Sequence, residues 1–101
     1  MAGIQEYCNN ESFKPQCNDG EVIVMTHGLY GRMRKGRCIG SHSGLGCQTN
    51  VLRNLDEICS NKQHCEVDVA NDFMSVENDC IVDMLRYLEA SFKCEKGRIK
   101  V

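Results

Sequence analysis

Eight cysteines, at positions 8, 17, 38, 47, 59, 65, 80 and 94, are spread along a chain of 101 residues. A chain this short buries little apolar surface, and small domains offset that by closing loops with disulfides. The count is even, and no Cys-x-x-Cys pair occurs, so the pattern suggests neither a zinc ribbon nor a thioredoxin-like redox site. It predicts four bridges and hence an oxidising compartment: a secreted protein, or the extracellular part of a larger one. Which cysteine joins which cannot be read from spacing. The competing reading is a cytosolic chain with eight buried or metal-bound thiols, which an even count spread along a short chain favours less than four bridges.

Composition supports an ordered chain and narrows the partners. An apolar content of 42% with 26% charged residues is that of globular proteins. A formal net charge of −2 provides no general attraction to nucleic acid or to anionic membranes. No run is long or apolar enough to span a membrane. The opening Met1-Ala2-Gly3-Ile4-Gln5-Glu6 has neither the basic region nor the apolar core of a signal peptide. The expectation is therefore a mature chain or an excised domain with Met1 added, forming one domain over residues 1–101 with its core between 8 and 94.

Periodicity indicates the elements. Glu21-Val22-Ile23-Val24-Met25-Thr26 is β-branched and apolar on both parities, as in a central strand covered on both faces, and it follows the turn signal Asn18-Asp19-Gly20. Residues 36–46 contain four glycines plus Ser41 and Ser43 and predict a loop held by Cys38 and Cys47. Asn50 is placed to cap a helix whose inner face is Val51, Leu52, Leu55, Ile58 and Cys59. Glu66-Val67-Asp68-Val69 reads as a short strand. Leu88, Ala90, Phe92 and Cys94 alternate with Glu89, Ser91 and Lys93, the pattern of a half-buried strand. The predicted class is α+β: a small disulfide-rich domain of mainly antiparallel strands, one or two helices and long loops.

Two motifs then resemble a known family. Tyr30-Gly31-Arg32, with Cys38 six residues beyond Arg32, resembles one signature of the sea-urchin-egg-lectin type. This is the galactose/rhamnose-binding lectin family, which also includes the lectin domain of latrophilin receptors. Asn78-Asp79-Cys80 followed by Arg86-Tyr87-Leu88-Glu89-Ala90-Ser91-Phe92-Lys93-Cys94 is similar to its second signature, Asp-Pro-Cys leading into a Lys-Tyr-Leu strand. The Cys8-to-Cys17, Cys59-to-Cys65 and Tyr87-to-Cys94 spacings also look like the family's. The resemblance implies the pairing Cys8–Cys38, Cys17–Cys94, Cys47–Cys80 and Cys59–Cys65. It further implies a carbohydrate-binding module for terminal galactose or rhamnose that works without a metal or other cofactor.

The resemblance also places a sugar site, which this chain alters. Family members use an acid just after the first cysteine, residues near Tyr-Gly-Arg, and the Asp and Gly-Thr-x-Lys around the seventh cysteine. Here Asn9 follows Cys8, Leu29 precedes Tyr30, and Asn78-Asp79-Cys80 lacks the proline. One extra residue separates Cys80 from Tyr87, Ile81-Val82-Asp83-Met84-Leu85 replaces the Gly-Thr, and Arg86 stands where Lys is usual. The candidate ligand-binding residues are Asn9, Tyr30, Asp79, Asp83 and Arg86. Asn9 donates and accepts but offers no charged acceptor, and Arg86 is a rigid donor fork rather than an ammonium. Asp79 and Asp83 are the carboxylates nearest the altered motif, placed to replace the missing acids or simply to be solvated. Tyr30 either flanks a sugar face or belongs to the core, and Arg32 is expected to brace a loop.

Arg32, Arg34, Lys35 and Arg37 form a basic run that reads as a sulfate- or phosphate-binding patch or as a solvated turn. Acids between Glu66 and Asp83 do not follow calcium-loop spacing, and His64 beside Cys65 suggests metal only if that thiol is reduced. No nucleophile motif occurs, so an enzyme is not expected. Asn10-Glu11-Ser12 is an N-glycosylation triplet. The alternative function is a protein-interaction or adhesion module with a cell-surface protein partner on the same scaffold. A third is a secreted inhibitor or toxin. Weak single sites imply homo-oligomers or tandem domains. If the bridge reading holds, folded protein alkylated under denaturing, non-reducing conditions takes up no alkyl groups. Any incorporation seen by intact mass revives the thiol reading.

Overall fold

The computed structural model describes residues 3–73, 75–77, 80 and 84–97. In chain order these form β1 (Gln5–Cys8), β2 (Ser12–Phe13), β3 (Glu21–Arg32), β4 (Cys47–Asn50), α1 (Leu52–Cys59), β5 (Val67–Asp68), α2 (Val69–Asp72) and β6 (Tyr87–Lys96). A four-stranded sheet in the order β1-β6-β3-β4 is antiparallel throughout, and β2 pairs with β5 in a separate ribbon. The class is the predicted one, α+β with mainly antiparallel strands, two helices and four disulfides.

The centre is the long β3–β6 pair, in register from Glu21 opposite Lys96 to Gly31 opposite Tyr87. The strand expected to end at Thr26 continues to Arg32, so Tyr30-Gly31-Arg32 is itself strand. A register shift between Met25 and His27 lets the strand run on while changing face. Before it, Ile23 and Met25 enter the main core; beyond it, Tyr30 does, and Gly28 lies against α1. Val22 and Val24, on the opposite parity ahead of the shift, are half-buried. Gly28 lets α1 pack closely on the sheet: a Cβ there would meet Leu55 Cδ1 at 2.5 Å and force that buried side chain to shift. Gly31 is required for pairing: a Cβ would lie 2.3 Å from the Cys47 carbonyl oxygen on β4.

The helix and short strand lie close to their predicted positions. In α1, Leu55 and Cys59 are buried while Arg53, Asn54, Asp56 and Glu57 face out. Val51 occupies the capping position, and the Asn50 side chain accepts the Leu52 N–H at 2.9 Å. The helix stops at Ser60, whose N–H bonds the Asp56 carbonyl and whose hydroxyl bonds the Asp56 carboxylate. The four disulfides are Cys8–Cys38, Cys17–Cys94, Cys47–Cys80 and Cys59–Cys65, the pairs the resemblance implies. Cys17–Cys94 closes the longest interval, 77 residues, which in the loop-entropy account contributes about 4 kcal/mol.

The last strand departs from expectation. Tyr87 through Ser91 are buried on both faces, so Glu89 and Ser91 are not solvent-facing. The reason is the loop 33–46, which folds over the second face and packs Met33 and Ile39 against Tyr87. Glu89, only 1% exposed, is supplied with partners there: Arg34 Nη1 donates to its Oε2, and the Tyr87 hydroxyl bonds the same oxygen at 3.1 Å. His27 Nε2 lies 3.6 Å from Oε1. Burial and then the Glu89 charge push the Tyr87 hydroxyl up to about 12. Because Glu89 is buried while Arg34 is largely exposed, removing the cation leaves a carboxylate short of compensation. Arg34→Met is expected to cost about 1–3 kcal/mol in denaturant unfolding of the oxidised protein, and adding Glu89→Gln to recover most of it. An unrecovered loss would assign Arg34 a purely conformational role in the loop.

Candidate functional site

Three local devices bring remote residues to one end of the sheet. At the end of β1 the chain turns through residues 8–11, with the Glu11 N–H bonding the Cys8 carbonyl and the Glu11 carboxylate accepting the Cys8 N–H at 2.7 Å. This turn presents Asn9 and Asn10. The Cys8–Cys38 disulfide then fixes the loop 33–46 beside it. Arg37, next to Cys38, grips the turn with a two-pronged contact to both Glu11 oxygens, at 3.0 and 2.9 Å, and also donates to the Glu6 carbonyl. Charge-assisted pairs of this geometry hold orientation as well as energy.

The other wall is the segment leading into β6. Arg32, 4% exposed, donates from Nη1 to the Leu85 carbonyl and from Nη2 to the Ser43 carbonyl, both at 2.8 Å. It thus ties residues 84–86 to the loop 33–46, the bracing role expected of it. Upstream, Cys47–Cys80 and the Thr49 hydroxyl on the Glu77 carbonyl anchor the same connection to β4. Leu85 and Arg86 are thereby held across from the turn. The result is a cleft of about 430 Å³ lined by the Cys8–Cys38 bridge, Asn9, Asn10, Arg37, Leu85 and Arg86.

Of the five candidate residues, Asn9 and Arg86 meet in this cleft. Tyr30 lies beneath it: its ring is 2% exposed, packs on Phe73 with centroids 5.0 Å apart, and carries the Arg86 guanidinium 5.7 Å from its centre. Core membership, the second of the two readings of Tyr30, matches this placement, and the ring supports Arg86 by cation–π attraction. Asp79 and Asp83 lie outside the described residues. Sequence reasoning did not single out Arg37, Leu85 or Glu11 for this place. The available signal for Arg37 was its position beside Cys38, which becomes informative only once Cys38 is joined to Cys8.

The basic run is mostly consumed internally. Arg32 braces carbonyls, Arg34 pairs with Glu89 and Arg37 with Glu11, leaving Lys35 without an ion pair among the described residues. His64 stands beside a disulfide sulfur, not a thiol. Cys8, Glu11 and Cys38 lie close enough to resemble a metal-ligand group, but both sulfurs are bonded to each other.

The Arg37 hydrogen bonds, and next the Cys8 N–H, hold the Glu11 carboxyl below its ordinary value of 4.5. A depressed folded-state value means that the pair supports the turn above the ordinary carboxylate range and releases it as pH falls through the folded value. Arg37→Gln is expected to return the Glu11 midpoint most of the way to the ordinary range in a side-chain carboxyl NMR titration. An unmoved midpoint would show that Arg37 does not hold the turn.

Among the described residues no helix is long and apolar enough to cross a membrane. No curated protein matches the chain. The family model of the D-galactoside/L-rhamnose binding SUEL lectin domain matches residues 15–94, from just beyond the Asn9 turn to the last cysteine. With most of its length matched, and with antiparallel strands and disulfides arranged as described, the chain belongs to the SUEL lectin domain family of carbohydrate-binding proteins.

Proposed function

We propose that the chain is a non-enzymatic extracellular module that binds terminal galactose- or rhamnose-type sugars weakly, without metal, in the cleft between the Asn9 turn and Arg86. The observation that carries this reading is the convergence of Asn9, Arg37, Leu85 and Arg86 on one cleft of a family scaffold. A sugar offers hydroxyls to the amide and guanidinium groups and its C–H face to Leu85. Tyr30 acts from below by positioning Arg86. Asp79 and Asp83 are the proposed replacement acceptors.

The site is altered in its charge balance. Asn9 supplies no carboxylate, and Glu11, the acid closest in sequence, already accepts from Arg37 and the Cys8 N–H. Hydroxyls exchanged from water gain little net energy where Asn9 offers only a neutral acceptor and Arg37 is committed to Glu11, so single-site affinity is low. Useful attachment then needs several copies, by self-association or as repeated domains in a larger protein. Arg86, a cleft cation without an ion pair among the described residues, favours the second reading, in which the scaffold serves as an adhesion module for an acidic cell-surface protein.

Calorimetric titration with free galactose and rhamnose separates the two. The sugar reading predicts a dissociation constant of about 1 mM or weaker. Arg86→Ala should reduce the affinity by roughly 1–3 kcal/mol. Asn9→Glu alone should not produce tight binding, because the longer Cys80-to-Tyr87 segment sets the opposite wall. A displacement of about 1 Å already degrades a polar site. Heat from neither sugar, together with no signal on a glycan array, would leave the adhesion reading.

A further inference from the structure

The Asn10-Glu11-Ser12 triplet lies at the mouth of the cleft. Asn10 is exposed in the turn 8–11, its side chain makes no hydrogen bond among the described residues, and it lines the same cleft as Leu85 and Arg86. Glu11, the middle residue, is turned away toward Arg37 and the Cys8 N–H. Ser12 opens β2 and lies outside the cleft's lining. Leu85, 61% exposed, is one of two large apolar side chains among the described residues that face solvent.

We propose that Asn10 carries an N-linked glycan whose first N-acetylglucosamine packs over Leu85 and closes the cleft mouth, so that glycan occupancy and free-sugar binding oppose each other. The chemistry is that of any exposed acceptor triplet in the secretory pathway. Asn10 Nδ2 forms a bond to C1 of the first sugar of a lipid-linked oligosaccharide diphosphate. The C1–oxygen bond to the diphosphate breaks, that lipid diphosphate leaves with the electron pair, and the amide loses one proton to a base of the transferase. Once attached, the sugar's acetamide methyl and C–H face have an apolar partner in Leu85 within the same cleft. Short attachment to Asn10 restricts the glycan's first ring to this end of the sheet, above Asn9 and Arg86. The sites at which a free ligand would enter are then screened by a covalent one.

This inference rests on the extracellular reading and shares the proposed cleft, so its test includes measurements independent of sugar binding. The chain is secreted from a glycosylating host behind a leader and compared with Ser12→Ala, which breaks the triplet without touching the cleft, and with Ser12→Thr, which preserves it. Intact mass should show an endoglycosidase-sensitive glycan on the wild type and Ser12→Thr, mapped to Asn10, and none on Ser12→Ala. Isotope-labelled glycoprotein should show nuclear Overhauser contacts from the first acetamide methyl to the Leu85 methyls. Galactose and rhamnose should bind the glycosylated form several-fold more weakly than Ser12→Ala. An unmodified Asn10 in secreted, fully oxidised protein overturns the acceptor assignment. A glycan without the Leu85 contact overturns its placement over the cleft. Should neither form bind sugar, the lectin reading of the cleft fails alone, and mass and Leu85 contacts still decide this proposal.

Discussion

Almost everything in this molecule is hung on the pairing of β3 with β6. These strands come from opposite ends of the chain, so their ladder of hydrogen bonds requires closing a very long loop, at an entropic cost that local propensity cannot offset. Cys17–Cys94 ties the pair beside its Ile23–Cys94 register, and the main apolar core packs on the face that results. The shift at Thr26 then transfers the inward-facing role from odd to even positions. Without it, Tyr30 would turn to the face that carries Glu89, and its ring could not pack on Phe73 or carry Arg86.

The candidate site depends on that frame but is not built from it. Its two walls are loop and turn, and each would be mobile without cross-links. Cys8–Cys38 and the Arg37–Glu11 fork hold one wall. Arg32 and Cys47–Cys80 hold the other. Arginine suits this task, because a planar fork can satisfy carbonyls of two different segments at once, as Arg32 does with Leu85 and Ser43. The family motif Tyr30-Gly31-Arg32 is therefore structural in each of its parts: ring below Arg86, bare backbone against β4, and clamp between loops.

That division explains where inference from residues succeeds and where it stops. The helix over 52–59, the turn before Glu21 and the apolar half of β6 follow from periodicity and from turn and capping chemistry, all local properties. The burial of Glu89 does not, because alternation reports only which residues share a face. Whether that face meets water is settled by the loop 33–46, brought over it by contacts with no local signal. Likewise Arg34 and Arg37 look equivalent in a basic run, yet one neutralises a buried carboxylate and the other clamps a surface turn.

The amino-acid sequence by itself determined the disulfide framework's count, the secondary structure near its strongest patterns, and the family signatures. Each depends on residue type and short-range spacing. Only the tertiary structure decided that Asn9, Arg37, Leu85 and Arg86 share one cleft while Tyr30 lies beneath it. The physical reason is chain separation: these residues are brought together by a disulfide, two arginine clamps and a change of strand face. None of these geometries is written into the spacing of the residues they unite.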